Sequence, residues 1–286
     1  MTAELHLPTA VVEKAVSEAL AEDLGLGGDV TTQATIPAGT RASGVIATRQ
    51  AGVVCGVQLA EAAFKLLDPF TQFEVVAADG THVEAGATIA KVSGDARVLL
   101  TGERTALNYL GRLSGIASLT ARYVAAVSGT RARIADTRKT TPGLRALEKY
   151  AVRCGGGVNH RFGLFDAILI KDNHIAAAGG VGRALQRARD QAGHMLKVEI
   201  EVSSLDELDD ALQLDPDAVL LDNMSVSLLK QAVEEVAGRA ITEASGGVNL
   251  DTVRAIAQTG VDLISVGALT HSAPVLDVGL DFNTPM

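Results

Sequence analysis

KVEIEVSSLDELDDALQLDPDAVLLDNMSVSLLKQAVEEVAGRAITEASGG, residues 197–247, decides the fold. Three short apolar runs, KVEIEV (197–202), DAVLL (217–221) and AITEA (240–244), alternate with stretches 204–212 and 225–237, whose apolar residues recur at helical spacing. A period that switches from strand to helix and back marks βα units, parallel strands joined by helices outside the sheet. Working outward, the alternation takes in ARIA (132–135), DAILI (166–170) and DLISV (262–266), with further helical stretches at 143–153 and 249–258. Six units in about 140 residues fall short of the ~250 residues typical of a closed eight-fold barrel. The expected fold is α/β: an open barrel of six or seven strands.

The first third has a different rhythm. Residues 8–23 space their apolar positions as a helix does, with Pro8 near the first turn. Segments with β character follow at 43–49, 51–57, 73–94 and 96–102, divided by Gly, Asp and Pro, with helical stretches at 58–67 and 103–127. This predicts an N-terminal α+β sandwich domain over 1–115, a barrel over 116–275 and a tail, 276–286, returning to the first domain. Within it, DGTHVEAGATIAKVSG (79–94) has the repeat of a biotinyl- or lipoyl-type carrier hairpin. Lys91 is not at the hairpin tip, so the motif reads as structural.

Charge then points to the chemistry. Between Arg131 and His174 nine Lys/Arg face four Asp/Glu, in a chain of 286 residues whose net charge is −9. Cations gathered in an acidic protein, among glycines, suit a multiply anionic small molecule. Nucleic acid is a poor fit, because the global field repels a phosphate polymer and aromatic residues are 3% of the chain. Arg145, Glu148, Lys149 and Arg153 fit a solvated helix face; Arg138, Lys139, His160, Arg161 and Lys171 fall at loops or strand ends. No signal peptide or membrane span is expected, and Cys55 and Cys154 fit neither a disulfide framework nor a CxxC metal pattern, so the expected location is cytoplasmic.

The strand ends are where ligands bind in parallel α/β folds. DAILI ends at Lys171, KVEIE at Glu201 and DAVLL at Asp222, while AITEA leads into Ser245-Gly246-Gly247 and DLISV into Gly267-Ala268, with His271 beyond. The two glycine turns, the first before a helix that Asn249 caps, make a candidate phosphate cradle. Glu201 and Asp222 can hold magnesium through water, accept hydrogen bonds from sugar hydroxyls, or neutralise Lys139 or Lys171. After the first strand, Thr137-Arg138-Lys139 offers a planar fork suited to carboxylate beside a compact charge suited to phosphate. Motifs for P-loops, dinucleotide folds and zinc proteases are absent.

DTRKTTPGLRALEKYAVRCGGGVNHRFGLFDAILIKDNH (136–174), with VEIEV, LLDN, EASGGV and VGALTHS, resembles the quinolinate phosphoribosyltransferase family. EDLGLGGDVTT (22–32) and LLTGERTALNYLGRLSGIA (99–117) extend the resemblance over essentially the whole chain. It implies transfer of phosphoribosyl from 5-phosphoribosyl 1-pyrophosphate to quinolinate with decarboxylation, assisted by magnesium, in NAD synthesis. It also implies a homodimer with a shared site, in which Arg104 of the neighbouring subunit joins Arg138, His160, Arg161 and Lys171 on quinolinate's carboxylates. Lys139 would then face pyrophosphate, Glu201 and Asp222 the ribose and magnesium, and Ser245, Gly246, Gly247, Gly267, Ala268 and His271 the 5-phosphate. Lys139, Lys171, Glu201 and Asp222 are the expected catalytic groups. Two other enzymes could use such a rim: a nicotinate phosphoribosyltransferase without decarboxylation, and an aldolase forming a Schiff base on Lys171.

Overall fold

The computed structural model describes residues 6–283. They form two compact units, the first up to Ala121 with Ala146–Gly156 and the chain from Ser272, the second Arg122–Arg145 with Gly157–His271.

The first unit begins with helices α1 (Thr9–Leu24), α2 (Val30–Thr35) and α3 (Val57–Lys65). Val12, Val16 and Leu20 repeat at four-residue intervals and form the buried stripe of α1, which packs against α3 and its buried Leu59, Ala63 and Phe64. Strands β1 (Arg41–Thr48), β2 (Gly52–Val53), β3 (Gln72–Val75), β4 (His82–Val83) and β5 (Thr88–Asp95) accompany them. β1, β5 and β3 lie side by side and antiparallel, and the last strand of the chain, Val278–Asn283, pairs antiparallel with the free side of β1. β2 and β4 pair separately.

Helix α4 (Ala96–Ala126) corrects one expectation. ARVLLTG, read as a strand, is its start. Asp95 Oδ1 accepts the Arg97 amide at 2.8 Å, and Leu99 is fully buried. A short apolar run without alternation suits a buried helix turn as well as a strand. Likewise 51–57 is strand only at Gly52–Val53, and α3 starts at Val57.

The second unit holds the alternation. Its strands are β6 (Arg133–Ala135), β7 (Ile168–Ile170), β8 (Val198–Val202), β9 (Ala218–Asp222), β10 (Ile241–Ser245) and β11 (Leu263–Ser265). They form one parallel sheet in the order β6-β11-β10-β9-β8-β7, in which β6 and β7 are edges that do not pair with each other, so the barrel is open. Helices α5 (Arg145–Cys154), α6 (Asp172–Ala178), α7 (Val181–Gln191), α8 (Leu205–Leu212), α9 (Val226–Val236), α10 (Val253–Ala257) and α11 (Ala268–His271) lie between or after the strands. Ser204 and Ser225 cap α8 and α9 by accepting amides three residues on. Asn249 Oδ1 accepts the amides of Asp251 and Thr252 in a turn, and α10 starts only at Val253.

The unit limits differ from the expected 115/116 and 275/276 divisions, and most of α5 belongs with the first unit. The reason is its buried charge: Glu148 is fully buried and pairs with Arg112 on α4 at 2.7 Å, while Tyr150 Oη donates to Asp79 at 2.8 Å. An isolated buried carboxylate is costly, so this pairing fixes where the helix packs. No helix among the described residues is long and apolar enough to cross a membrane.

Candidate active site

Strand parity creates the site. On β8 Val198, Ile200 and Val202 are buried, which leaves Glu199 and Glu201 on the opposite face of the sheet. On β9 and β10 the residues that line the interior are Leu220 and Asp222, then Glu243 and Ser245. The carboxyl ends of the strands thus enclose a cavity of about 600 Å³. Its walls include Thr137, Arg138, Lys139, His160, Arg161, Lys171, Glu201, Asp222, Ser245, Gly246 and Gly247. The residues that the sequence singled out at separate strand ends therefore share one opening.

On one side Lys171 Nζ lies 2.5 Å from Glu201 Oε2. Asp222 accepts from Asn223 Nδ2 at 2.7 Å, and the Asn223 amide donates to the Ser245 carbonyl at 2.9 Å, tying the β9 and β10 ends together. Gly246 follows at φ +94°, where a Cβ would collide with the Asn223 carboxamide. Only glycine fits that turn. Gly267, Ala268 and His271 do not line the cavity, and of these Gly267 lies beside Lys139. A Cβ on Gly267 would stand 3.1 Å from Lys139 Cδ and 3.2 Å from His271 Nε2, and Thr270 Oγ1 donates to the Lys139 carbonyl at 2.7 Å.

The cations opposite are poised for an anion. The Nε atoms of Arg138 and Arg161 are buried and have no hydrogen-bond partner. Burial, then the charge of Arg138, push the Arg161 pKa down, and Glu199 and Asp166 offset this only in part. Two neighbouring guanidinium groups with buried donors left over cost free energy unless a ligand meets them. A ligand carboxylate would satisfy them in the planar geometry that guanidinium favours.

Beneath them lies an acidic floor. Asp136, at the end of β6, is fully buried, accepts Asn159 Nδ2 at 2.5 Å and the His160 amide at 2.9 Å, and so holds the loop carrying His160 and Arg161. His160 Nδ1 accepts the Arg161 amide at 2.8 Å, which leaves Nε2 as the protonated nitrogen of the neutral ring, 3.0 Å from Glu199 Oε2. Glu243 Oε1 lies 3.6 Å from the same Nε2. Glu199 and Glu243 escaped the sequence reading, which looked only at strand termini. The signal was available: each stands two residues before a rim position, and a two-residue step keeps a strand residue on the same face.

Arg104 is exposed on α4 in the first unit, beside Leu107, Asn108 and Asp277 around a separate cavity of about 370 Å³. It does not line the cavity of the second unit.

Comparison with known proteins agrees with this geometry. The sequence matches the family description "Quinolinate phosphoribosyl transferase, C-terminal domain" over residues 116–281, and the corresponding N-terminal domain over 29–114. A nicotinate-nucleotide pyrophosphorylase [carboxylating] of Mycobacterium leprae is 49% identical over 271 residues, 93% of this chain and 95% of the relative. The solved nicotinate-nucleotide pyrophosphorylase of Francisella tularensis superposes with a TM-score of 0.93 at 40% identity, covering 98% of each chain. Human nicotinic acid phosphoribosyltransferase, at 12% identity and a TM-score of 0.60 over 97% of this chain and 74% of its own, shares the fold alone.

Proposed function

This chain belongs to the quinolinate phosphoribosyltransferase family, and we propose that it joins quinolinate to 5-phosphoribosyl 1-pyrophosphate, giving nicotinate mononucleotide, pyrophosphate and carbon dioxide for NAD synthesis. The observation that carries this reading is the pair of buried, unpartnered guanidinium donors of Arg138 and Arg161 in a cavity that also holds Lys139 and Lys171. Quinolinate brings two adjacent carboxylates, and fixing both aims its ring nitrogen at C1 of the ribose. As pyrophosphate leaves, positive charge develops on the ribose and negative charge on the leaving group. Glu201 and Asp222 face the first, Lys139 the second. Once bonded to ribose, the ring nitrogen is cationic and stabilises the electron pair left on the adjacent ring carbon when its carboxylate departs as carbon dioxide, and a proton from solvent then completes the C–H bond at that carbon. No covalent nucleophile is needed.

Magnesium fits this donor set, because Glu201 and Asp222 end neighbouring strands and offer the carboxylate oxygens that hard cations take. Bound with the pyrophosphate, it would lower the charge of the leaving group. The second glycine turn, with His271, would hold the 5-phosphate next to the Gly246 turn. The proposal includes a cytoplasmic homodimer in which the partner's α4 supplies Arg104 to the quinolinate carboxylates.

A Schiff base on Lys171 fits less well, because Lys171 is ion-paired to Glu201 and its side chain is 45% exposed rather than desolvated. A nicotinate phosphoribosyltransferase would leave one of the two orphaned arginine forks unused. With quinolinate, 5-phosphoribosyl 1-pyrophosphate and magnesium, the protein should release one carbon dioxide per nicotinate mononucleotide. Efficient use of nicotinate with no carbon dioxide from quinolinate would overturn the proposal.

A further inference from the structure

The floor of the cavity contains a carboxyl group to which the reaction described above gives no role. Glu243, in the middle of β10, is 1% exposed, lines the cavity, and has a buried Oε1 with no hydrogen-bond partner. The groups facing it are Glu199 from β8, His160 from the loop between α5 and β7, Ser265 from β11 and Asp136 from the end of β6, two further acids against one imidazole. A second ionised carboxylate there would compete with Glu199 for His160 Nε2–H and set a further negative charge beneath a dianionic ligand. A neutral acid does neither, and its hydroxyl can donate where a carboxylate oxygen can only accept.

We propose that Glu243 acts as a positioning residue in its neutral acid form, keeping the Glu199–His160–Arg161 chain of hydrogen bonds in register and the cavity floor tolerant of quinolinate's two negative charges. The proposal deepens the quinolinate reading and rests on it. In keeping with this geometry, burial and then the charge of Glu199 raise the Glu243 pKa to about 7, against the smaller opposing pull of His160 and Ser265. By linkage, quinolinate binding and proton retention on Glu243 favour one another.

The experiment compares wild type with Glu243→Gln, a neutral side chain of nearly the same shape, in the complete magnesium-containing assay. In wild type the KM for quinolinate should rise about 25-fold between about pH 6.5 and 8.5, the limit if only the acid form binds, with kcat changing little. Glu243→Gln should keep the low-pH KM and flatten the rise. An unchanged rise in the variant, or a KM raised equally at every pH, would overturn the proposal. Calorimetry of quinolinate binding to wild type, in two buffers of different ionisation enthalpy near pH 7.5, needs no variant and should show proton uptake. Zero uptake would likewise refute it. Failure of the reaction reading is distinct: it shows as no quinolinate turnover by wild type at any pH. In that case, with the variant folded, an acid carbonyl band in the infrared difference between wild type and Glu243→Gln would still report the neutral side chain.

Discussion

Arg161→Met tests the central electrostatic argument, because it removes the guanidinium and keeps much of the aliphatic stem. In the free protein Arg161 Nη1 donates to the Ala167 carbonyl at 3.1 Å, while Nε has no partner and Arg138 repels it. Losing one hydrogen bond costs about 1 kcal/mol, and relief of the desolvated, repelled charge works in the opposite direction. The ligand-free variant should therefore unfold within about 1 kcal/mol of wild type. Binding should behave differently. Removing one partner of a desolvated charge pair costs about 2–5 kcal/mol, and an open cavity places this site in the lower half, about 2–3.5 kcal/mol. At about 1.36 kcal/mol per tenfold step that is a 30- to 400-fold rise in the KM for quinolinate. The KM for 5-phosphoribosyl 1-pyrophosphate should change little. Thermal melts with quinolinate give a second measure: at a concentration 100 times the wild-type Kd, stabilisation of about 2.7 kcal/mol should fall below about 1 kcal/mol. A KM for quinolinate within threefold of wild type would show that the orphaned donors are not there for a carboxylate.

Gly246→Ala forces a side chain into the left-handed region and against Asn223; it should cost about 1–3 kcal/mol in chemical denaturation and raise the KM for 5-phosphoribosyl 1-pyrophosphate more than that for quinolinate. Asp262 tests pH linkage. Burial alone would raise its pKa, but the Thr242 amide and hydroxyl, with Arg131, outweigh burial and hold it below the usual carboxylate range. A depressed folded pKa contributes stability above the unfolded value and loses it as pH falls through the folded one. Stability below about pH 4 should therefore fall less steeply in Asp262→Asn than in wild type, as measured by melting temperature against pH. Arg104→Ala and Lys171→Ala should each abolish quinolinate turnover as folded proteins, and mixing the two should restore part of it through hybrid dimers. No recovery after verified subunit exchange would argue against a shared site.

The six barrel strands were legible because each apolar run is short, bounded by turn residues and followed by a helix-period stretch. The rim was legible because parallel topology forces every strand's carboxyl end to one side, so Lys171, Glu201 and Asp222 had to meet once the strands were known. ARVLLTG was not legible: its three apolar neighbours carry no period, and only the packing of Leu99 and the Asp95 cap decide for a helix. The placement of α5 was hidden for a related reason. Glu148 and Lys149 look like surface charge on a helix wheel, yet both are buried. Local sequence does not record a partner such as Arg112, which is distant in the chain. Arg104 is harder still, since its proposed role needs a second chain.

The charge layout also bears on how the ligand is first held. Lys171 is already compensated by Glu201 at 2.5 Å, so a carboxylate arriving there must share the ammonium with a group in place. Arg138 and Arg161 have buried donors left over, and Arg161 is held in its charged form against the combined pull of burial and its neighbour. The first carboxylate therefore gains most at the arginine pair, where it satisfies orphaned donors and relieves repulsion in one step. If Glu201 takes the ribose as proposed, a hydroxyl of the phosphoribosyl substrate would give it another partner and leave more of the Lys171 ammonium to quinolinate. On this account the Lys171–Glu201 pair would couple the two halves of the site, each substrate easing access to the side chain that the other is proposed to use.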